Sequence, residues 1–432
     1  LTICEQIADW AAALTSEDLP ASVRERAELQ ALSIAAGAEA GREAAAPFAA
    51  VAPGGEPGAV FESAAASIAH DWDDYLFMGH TGHSAVPAAR AFAADEEDAL
   101  VAQVAANEAA ARLGAALFLG PHNGQFWSSI HCASAAVAAG AGLGLGPDRL
   151  AHAIAIALYQ PPYGLWPGFM GPDSKLLTAA EPAAQGVRAA MLAADGVEGA
   201  LDVIENPRGL LAHFSFAPQP EMFGALGSVW LTDTLAFKPY PGCAYMQSAA
   251  DAALAAGLAA GEVEAIDVEA GFLSCEMERL GAGEGLTPVR VNFSAALSIA
   301  VALTAGRLTH AELHPSWLTA HETELRELAG RIRVRHDWRM TAATLAGTVD
   351  AGAGLGGLAV RDWRRVGRRT RELGMGLAPD LAELRDLAGD RVARGELLSV
   401  VRRALRRPAS IDAIDASAMR LRFPARLRIR LR

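Results

Sequence analysis

The chain is expected to fold as a mainly α protein: a large all-helical bundle formed from both chain ends, with a smaller α+β unit inserted between them. Three observations predict this. Alanine-rich stretches with helical apolar spacing fill the N-terminal half, strand-like segments begin near Leu231, and a helical pattern returns after residue 373. The changes of texture divide the chain into 1–230, 231–372 and 373–432.

Ile7, Trp10 and Leu14 recur at helical spacing, and TSEDLP then supplies a turn with cap residues before a helix beginning near Pro20. Leu29, Leu32 and Ala36 continue an apolar stripe until Gly37 and Gly41. Further helices are predicted at 84–94, 97–118, 128–142, 147–159 and 181–195, where small residues permit close approach. Strands are predicted at 229–237, 263–272, 330–336 and 356–363, with helices at 245–260 and 292–305 between them. The second strand, VEAIDVEAGF, alternates only in part. AGAGLGG at 351–357 reads as a hairpin turn, because neither a strand–turn–helix setting nor a following Lys-Ser/Thr supports a phosphate loop. A last helical stretch runs from Leu381 to Leu405.

A composition of 52% hydrophobic and 20% charged residues describes a folded chain with a large core. The net charge of −13 argues against nucleic acid as the main partner, since phosphate binding needs a basic face. Positive charge gathers in RDWRRVGRRTR from Arg361 to Arg371, and in residues 401–432, which hold ten arginines against two aspartates. These read as surfaces that pair with the acidic remainder. Cys4, Cys132, Cys243 and Cys275 form no CxxC pair, which disfavours a disulfide framework and fits a reducing cytoplasm. No signal peptide is expected, and the weakly polar stretches at 133–146 and 295–306 are too short and interrupted to span a bilayer.

The segment from Ile68 to Pro87, IAHDWDDYLFMGHTGHSAVP, packs three aspartates and three histidines among apolar residues. Carboxylates and imidazoles move protons near neutral pH, and desolvating several together requires that each have a partner. An extended backbone through DWDDY would turn Asp71, Asp73 and Tyr75 one way and Trp72 and Asp74 the other. Three readings compete: aspartates as helix caps with exposed histidines, a metal site using His80-x-x-His83, and cofactor-free acid/base catalysis. GPHNGQFWSSIH, from Gly120 to His131, is a loop feeding a helix N-terminus, with His122 and His131 as ligands or plain loop residues. Lysines are scarce, yet Lys175 lies in YGLWPGFMGPDSKLL and Lys238 in LTDTLAFKPYPGC. Each could hold a carboxylate, pair with a buried acid such as Asp71, or lay its stem along apolar surface.

Taken in order, these pieces resemble the MmgE/PrpD family, the 2-methylcitrate dehydratases and cis-aconitate decarboxylases. HDWDDYLFMGHTGHSAVP is similar to its DxDDT…HPSxxVxP segment, and SKLLTAAEPAAQGVRAAMLAADGVEGALDVIENPRG to its lysine, Ala-Ala-x-x-Gly helix and Gly-x-x-Gly turn. FKPYPGCAYMQSAADAAL resembles KxYPxCxxxH, VNFSAALSIAVALTAGRLT the FS-containing helix, and DLPASVRERAELQALSIAAGAEAG the opening helix.

The resemblance implies a helical domain built from both chain ends, an α+β lid, and an active site between them. It implies a homodimer working without metal or organic cofactor on small polycarboxylates, by dehydration, decarboxylation or epimerisation. On the matching positions, His80 would be the general acid/base, oriented or tuned by Asp71, with Lys175 and Lys238 holding carboxylates and stabilising developing negative charge. Tyr75, His83, His122, Gln125, Trp166 and Gln247 would contact the substrate. The chain departs from the family at several of these: Tyr75 replaces Thr, HTGHS replaces HPS, and Gln125 and Gln247 stand where histidines are usual. Trp166, Phe169 and Tyr163 crowd the approach to Lys175. The expected activity is therefore dehydration or decarboxylation of a carboxylate-bearing substrate less polar than citrate. The alternatives are an epimerase, isomerase or cyclase on the same scaffold, or a ligand-binding homologue without catalysis.

Overall fold

Small side chains set the spacing of the N-terminal helices. The computed structural model of the chain describes residues 1–121, 128–373, 379 and 381–432, and it is mainly α, with nineteen α-helices among those residues. The first ten are α1 (Ile3–Ala13), α2 (Ala21–Ala49), α3 (Glu56–Ile68), α4 (Gly82–Phe92), α5 (Glu96–Ala116), α6 (Ser129–Gly142), α7 (Pro147–Tyr159), α8 (Trp166–Phe169), α9 (Leu177–Ala194) and α10 (Leu210–Phe214). Helix α6 carries small or apolar residues on every side, and Ser129 through Gly140 are all buried. A helix without a polar face belongs in the centre of a bundle, and α4, α5, α7 and α9 pack around α6.

The stripe expected along α2 lies on the opposite face. Leu29 and Leu32 are exposed, whereas Val23, Ala27, Gln30 and Ile34 are buried. Gly41 does not end this helix. It lets α2 lie directly on α3, where a Cβ would fall 2.0 Å from the Ala66 carbonyl oxygen, and the helix continues to Ala49.

The second half adds α11 (Gln247–Ala255), α12 (Phe272–Gly281), α13 (Pro288–Phe293), α14 (Ala295–Ala305), α15 (Pro315–Ala329), α16 (Trp338–Val349), α17 (Val360–Glu372), α18 (Leu381–Gly389) and α19 (Arg391–Arg406). Asp74–Tyr75 (β1) pairs antiparallel with Ala236–Phe237 (β2), which is all that remains of the strand expected at 229–237. The start of that stretch is a 3₁₀ turn, because buried Glu108 takes the backbone N–H groups of Leu231 and Thr232 at 3.0 and 2.8 Å. The larger sheet has the order β4-β3-β5, built from Val263–Ala270 (β3), Ile332–His336 (β4) and Ala425–Leu431 (β5). β4 runs parallel to β3 and β5 antiparallel. Val263, Ile266 and Val268 meet Ile299, Leu318 and Leu325 of α14 and α15 in a second core.

Residues 356–363 form no strand, since Val360 opens α17 and Asp362 accepts the Ala359 N–H at 2.9 Å. The glycine run is not a hairpin turn either. It lies flat against the chain after α19: Cβ atoms on Gly352, Gly354 and Gly356 would fall 1.9, 2.4 and 2.4 Å from the carbonyl oxygens of Ala413, Pro408 and Arg407. The C-terminal segment, expected to rejoin the helical bundle, divides. α19 packs on α16, Ile411, Ile414 and Met419 enter the bundle core, and β5 completes the three-stranded sheet. No helix among the described residues is long and apolar enough to cross a membrane.

Candidate functional site

The turn between α3 and α4 gathers the charges. Past Ile68 the chain passes through Asp71 at φ 54°, a left-handed conformation that aspartate tolerates better than most residues. After β1, Leu76 and Gly79 exchange backbone hydrogen bonds at 2.9 and 3.1 Å, so the chain reverses and returns His80 to Asp73. The paired β2 strand brings in Lys238, whose N–H donates to the Asp73 carbonyl at 3.3 Å and whose carbonyl accepts from Trp72 Nε1 at 3.0 Å.

Asp73, fully buried, joins three side chains. Its Oδ2 accepts from His80 Nδ1 at 2.8 Å and from His83 Nε2 at 3.0 Å, and its Oδ1 accepts from Lys238 Nζ. His80 Nδ1 also lies 2.8 Å from the Asp74 carbonyl oxygen. Two acceptors at Nδ1 place the proton there, so a neutral His80 keeps its lone pair on Nε2, the nitrogen left for the cavity that His80 lines.

Asp71 joins the chain's two lysines. Its Oδ1 lies 3.1 Å from Lys175 Nζ and its Oδ2 3.8 Å from Lys238 Nζ. Lys175 also donates to the Ile68 carbonyl at 3.0 Å, and Lys238 to the Asp71 carbonyl at 2.8 Å. The rings of Phe169 and Phe293 stand 6.0 and 5.4 Å from the Lys175 ammonium.

Burial alone would raise both aspartates, but the lysines reverse it: Lys175 and Lys238 hold Asp71 below the usual carboxylate value, and Lys238 with His80 holds Asp73 well below it. Burial likewise works against the Lys238 ammonium, and the charges of Asp71 and Asp73 push it above the ordinary lysine value. Asp74 faces away, where Gln30 Nε2 donates to it at 2.9 Å, and burial plus the charge of Asp73 raise its carboxyl.

The structure therefore brings Asp71, His80, Lys175 and Lys238 together, with roles redistributed. Asp73, not Asp71, orients His80. That role was missed, although Asp73 falls on the Asp71 side of the DWDDY alternation. Lys175 is fully buried behind Asp71 and does not line the cavity. His83 is a buried support rather than a substrate contact: Nε2 is on Asp73 and Nδ1 lies 2.7 Å from Ser67 Oγ. Gln247 also misses the cavity. It clamps the loop after Lys238, giving to the carbonyls of Tyr240 and Gly242 at 3.1 Å and taking the Tyr240 N–H at 3.1 Å. Tyr75 and Trp166 do line the cavity, and the Tyr75 hydroxyl donates to the Leu421 carbonyl at 3.2 Å. His122 and Gln125 lie outside the described residues. His131 is buried beside Ser84 at 3.0 Å, and desolvation, then His83, hold it well below the usual histidine value.

The cavity measures about 810 Å³, with Asp71, His80 and Lys238 at its floor. Its wall draws Phe118 from the bundle, Phe272, Met277 and Trp338 from the second half, and Leu397 and Phe423 from the C-terminal segment. Among the described residues, no group of three or more His, Cys, Asp or Glu is arranged to hold a metal ion.

A cation that stabilises an enolate, an imidazole with one nitrogen anchored, and a carboxylate tying both together are suited to moving a proton next to a carbonyl. No curated protein matches the chain at a significant level. Family comparison matches residues 54–222 to the MmgE/PrpD N-terminal domain and residues 240–362 to the MmgE/PrpD C-terminal domain. Both domains occur in order and together cover most of the chain, which belongs to the MmgE/PrpD family.

Proposed function

We propose that the protein is a lyase of the MmgE/PrpD type, dehydrating or decarboxylating a carboxylate-bearing substrate less polar than citrate without a resident cofactor. The observation that carries this reading is the double grip of Asp73 on His80 Nδ1 and Lys238 Nζ. In dehydration, His80 Nε2 takes the proton next to the carboxylate and the C–H electron pair spreads into an enolate beside Lys238. The β-hydroxyl then leaves with the proton that the imidazolium returns, as water. In decarboxylation, CO₂ departs, the same enolate forms, and the imidazolium protonates it. Asp73 holds the imidazole in one tautomer throughout, as an anchored carboxylate does for other catalytic histidines. Asp71 with Lys175 keeps Lys238 charged and in place.

The free thiols of Cys4, Cys132, Cys243 and Cys275 support a cytoplasmic setting, and family membership supports a homodimer, which sedimentation checks. Incubation of candidate carboxylic acids with the enzyme in D₂O tests the reaction. Deuterium uptake accompanied by loss of water or CO₂ is expected, and uptake without net product would reassign the protein as an epimerase. No uptake with any acid, or wild-type turnover by His80→Gln, would refute proton transfer at this site.

A further inference from the structure

The floor of the cavity carries a charge balance that limits what it binds. Asp71 and Asp73 are matched by Lys175 and Lys238 within this cluster, so the four buried charges sum to zero. Of the Lys238 donors, one is on Asp73 Oδ1 and one on the Asp71 carbonyl, which leaves a single N–H for a ligand. One N–H on one ammonium is enough to seat one carboxylate and leaves none for another.

Among the described residues the wall offers no second anion site. Asp71, His80 and Lys238 are the charged residues that line it among those described. Of its six hydroxyls among the described residues, those of Tyr163 and Tyr245 face no cation of the protein. The others are committed: Tyr75 donates to Leu421, Ser274 donates to Tyr245 at 2.7 Å, and Thr344 donates to Met340 at 3.1 Å. Thr341 Oγ1 takes the Phe272 N–H at 2.9 Å and contacts His336 Nε2 at 2.7 Å. The remainder is aromatic and aliphatic, including Trp166, Phe272, Met277, Leu280, Trp338 and Phe423. A second carboxylate there would lose its water and find no cation among the described residues. At about 810 Å³ the space is near the upper end for small-molecule sites, roughly 300–1,000 Å³.

From this, and resting on the dehydration reading of the site given above, we infer that the substrate is an amphipathic monocarboxylate: one carboxylate seated at Lys238, and a large apolar body lying against the aromatic wall. Di- and tricarboxylates are excluded by charge rather than by size.

Equilibrium titration calorimetry with decanoate and citrate, which have similar numbers of heavy atoms, separates charge from bulk. Decanoate is expected to bind at least about ten-fold tighter than citrate, and decanol about ten-fold weaker than decanoate. Leu280→Trp, which fills the apolar wall, and Lys238→Met, which removes the cation, each weaken decanoate, with melting curves confirming that the variants fold. Citrate binding as tightly as decanoate, decanoate binding unchanged in both variants, or no binding by either ligand overturns the inference. Binding does not depend on turnover, so the two readings fail separately. Decanoate binding with no deuterium uptake by any acid would remove the lyase and keep the amphipathic ligand; deuterium uptake into citrate would do the reverse.

Discussion

Asp73 is asked to do three things at once: fix the His80 tautomer, hold the Lys238 ammonium, and accept from His83. Asparagine has the same shape but only one acceptor oxygen, so at least one of the three donors would face an amide N–H₂. Asp73→Asn is expected to lower kcat by about 10²–10⁴-fold, the range of a displaced acid/base group, while circular dichroism stays native. Lys238→Ala is expected to cost about 2–4 kcal/mol in kcat/KM, the size of a preorganised contact to developing charge. A rise in KM at constant kcat would instead assign Lys238 to uniform binding. Asp71, His80 and both lysines were legible because charged side chains in apolar surroundings need partners, and because the segments that carry them resemble the MmgE/PrpD motifs. His83 and Gln247 were not, because side-chain type alone does not say whether an imidazole or amide faces the cavity or supports the turn behind it.

Helix α5 carries an ion pair that the sequence pattern concealed. Glu108 and Arg112 are both buried, and their (i, i+4) spacing looks like an ordinary surface pair. Instead Arg112 donates to the carbonyls of Gly224 and Val229 at 3.1 and 2.9 Å, while Glu108 takes the N–H groups of Leu231 and Thr232. The pair thus pins the crossing that leads to β2 and Lys238. Arg112→Met would leave Glu108 buried without its cation, at a cost of about 3–5 kcal/mol by urea unfolding; a change within error would show that Glu108 is held by the backbone alone. Elsewhere the pattern was readable but needed a partner strand to interpret. The alternation of β3 is only partial because its register shifts between Val263 and Ala265, after which Ile266, Val268 and Ala270 are buried in step. ARLRIRL at the C-terminus alternates cleanly, yet the expectation of helix carried past it. In α2 the leucines drew attention to the exposed face, since burial there follows alanine and glycine, whose contribution is close backbone approach rather than apolar area.

Across the whole molecule, part of the basic C-terminal charge is spent locally. Arg426 and Arg428 reach Glu269 at 2.9 and 2.5 Å, and Arg403 reaches Asp350 at 3.1 Å. Such exposed pairs are worth at most about 1 kcal/mol each and are screened by salt, so the pH dependence of stability comes from the interior. His70 is the clearest case. Burial, only partly opposed by the Ala40 carbonyl 3.2 Å from Nε2, pulls its imidazole down to about 4, and its Nδ1 is buried without a hydrogen-bond partner. The unfolded chain titrates His70 near its ordinary value of about 6.5. Between these values the unfolded state binds a proton that the folded state refuses, so stability rises with pH across this window and falls on acidification. The drop amounts to about 3 kcal/mol from pH 7 to 4. His131, also held low, acts with the same sign, and the depressed Asp71 and Asp73 extend the loss below the ordinary carboxylate range. Urea midpoints measured from pH 7 to 4 should therefore decline in the wild type and decline less in His70→Gln, which has no proton to gain. The comparison is between slopes, so any general destabilisation by the substitution cancels. Parallel slopes would remove His70 from the acid response and leave His131 and the carboxylates to account for it.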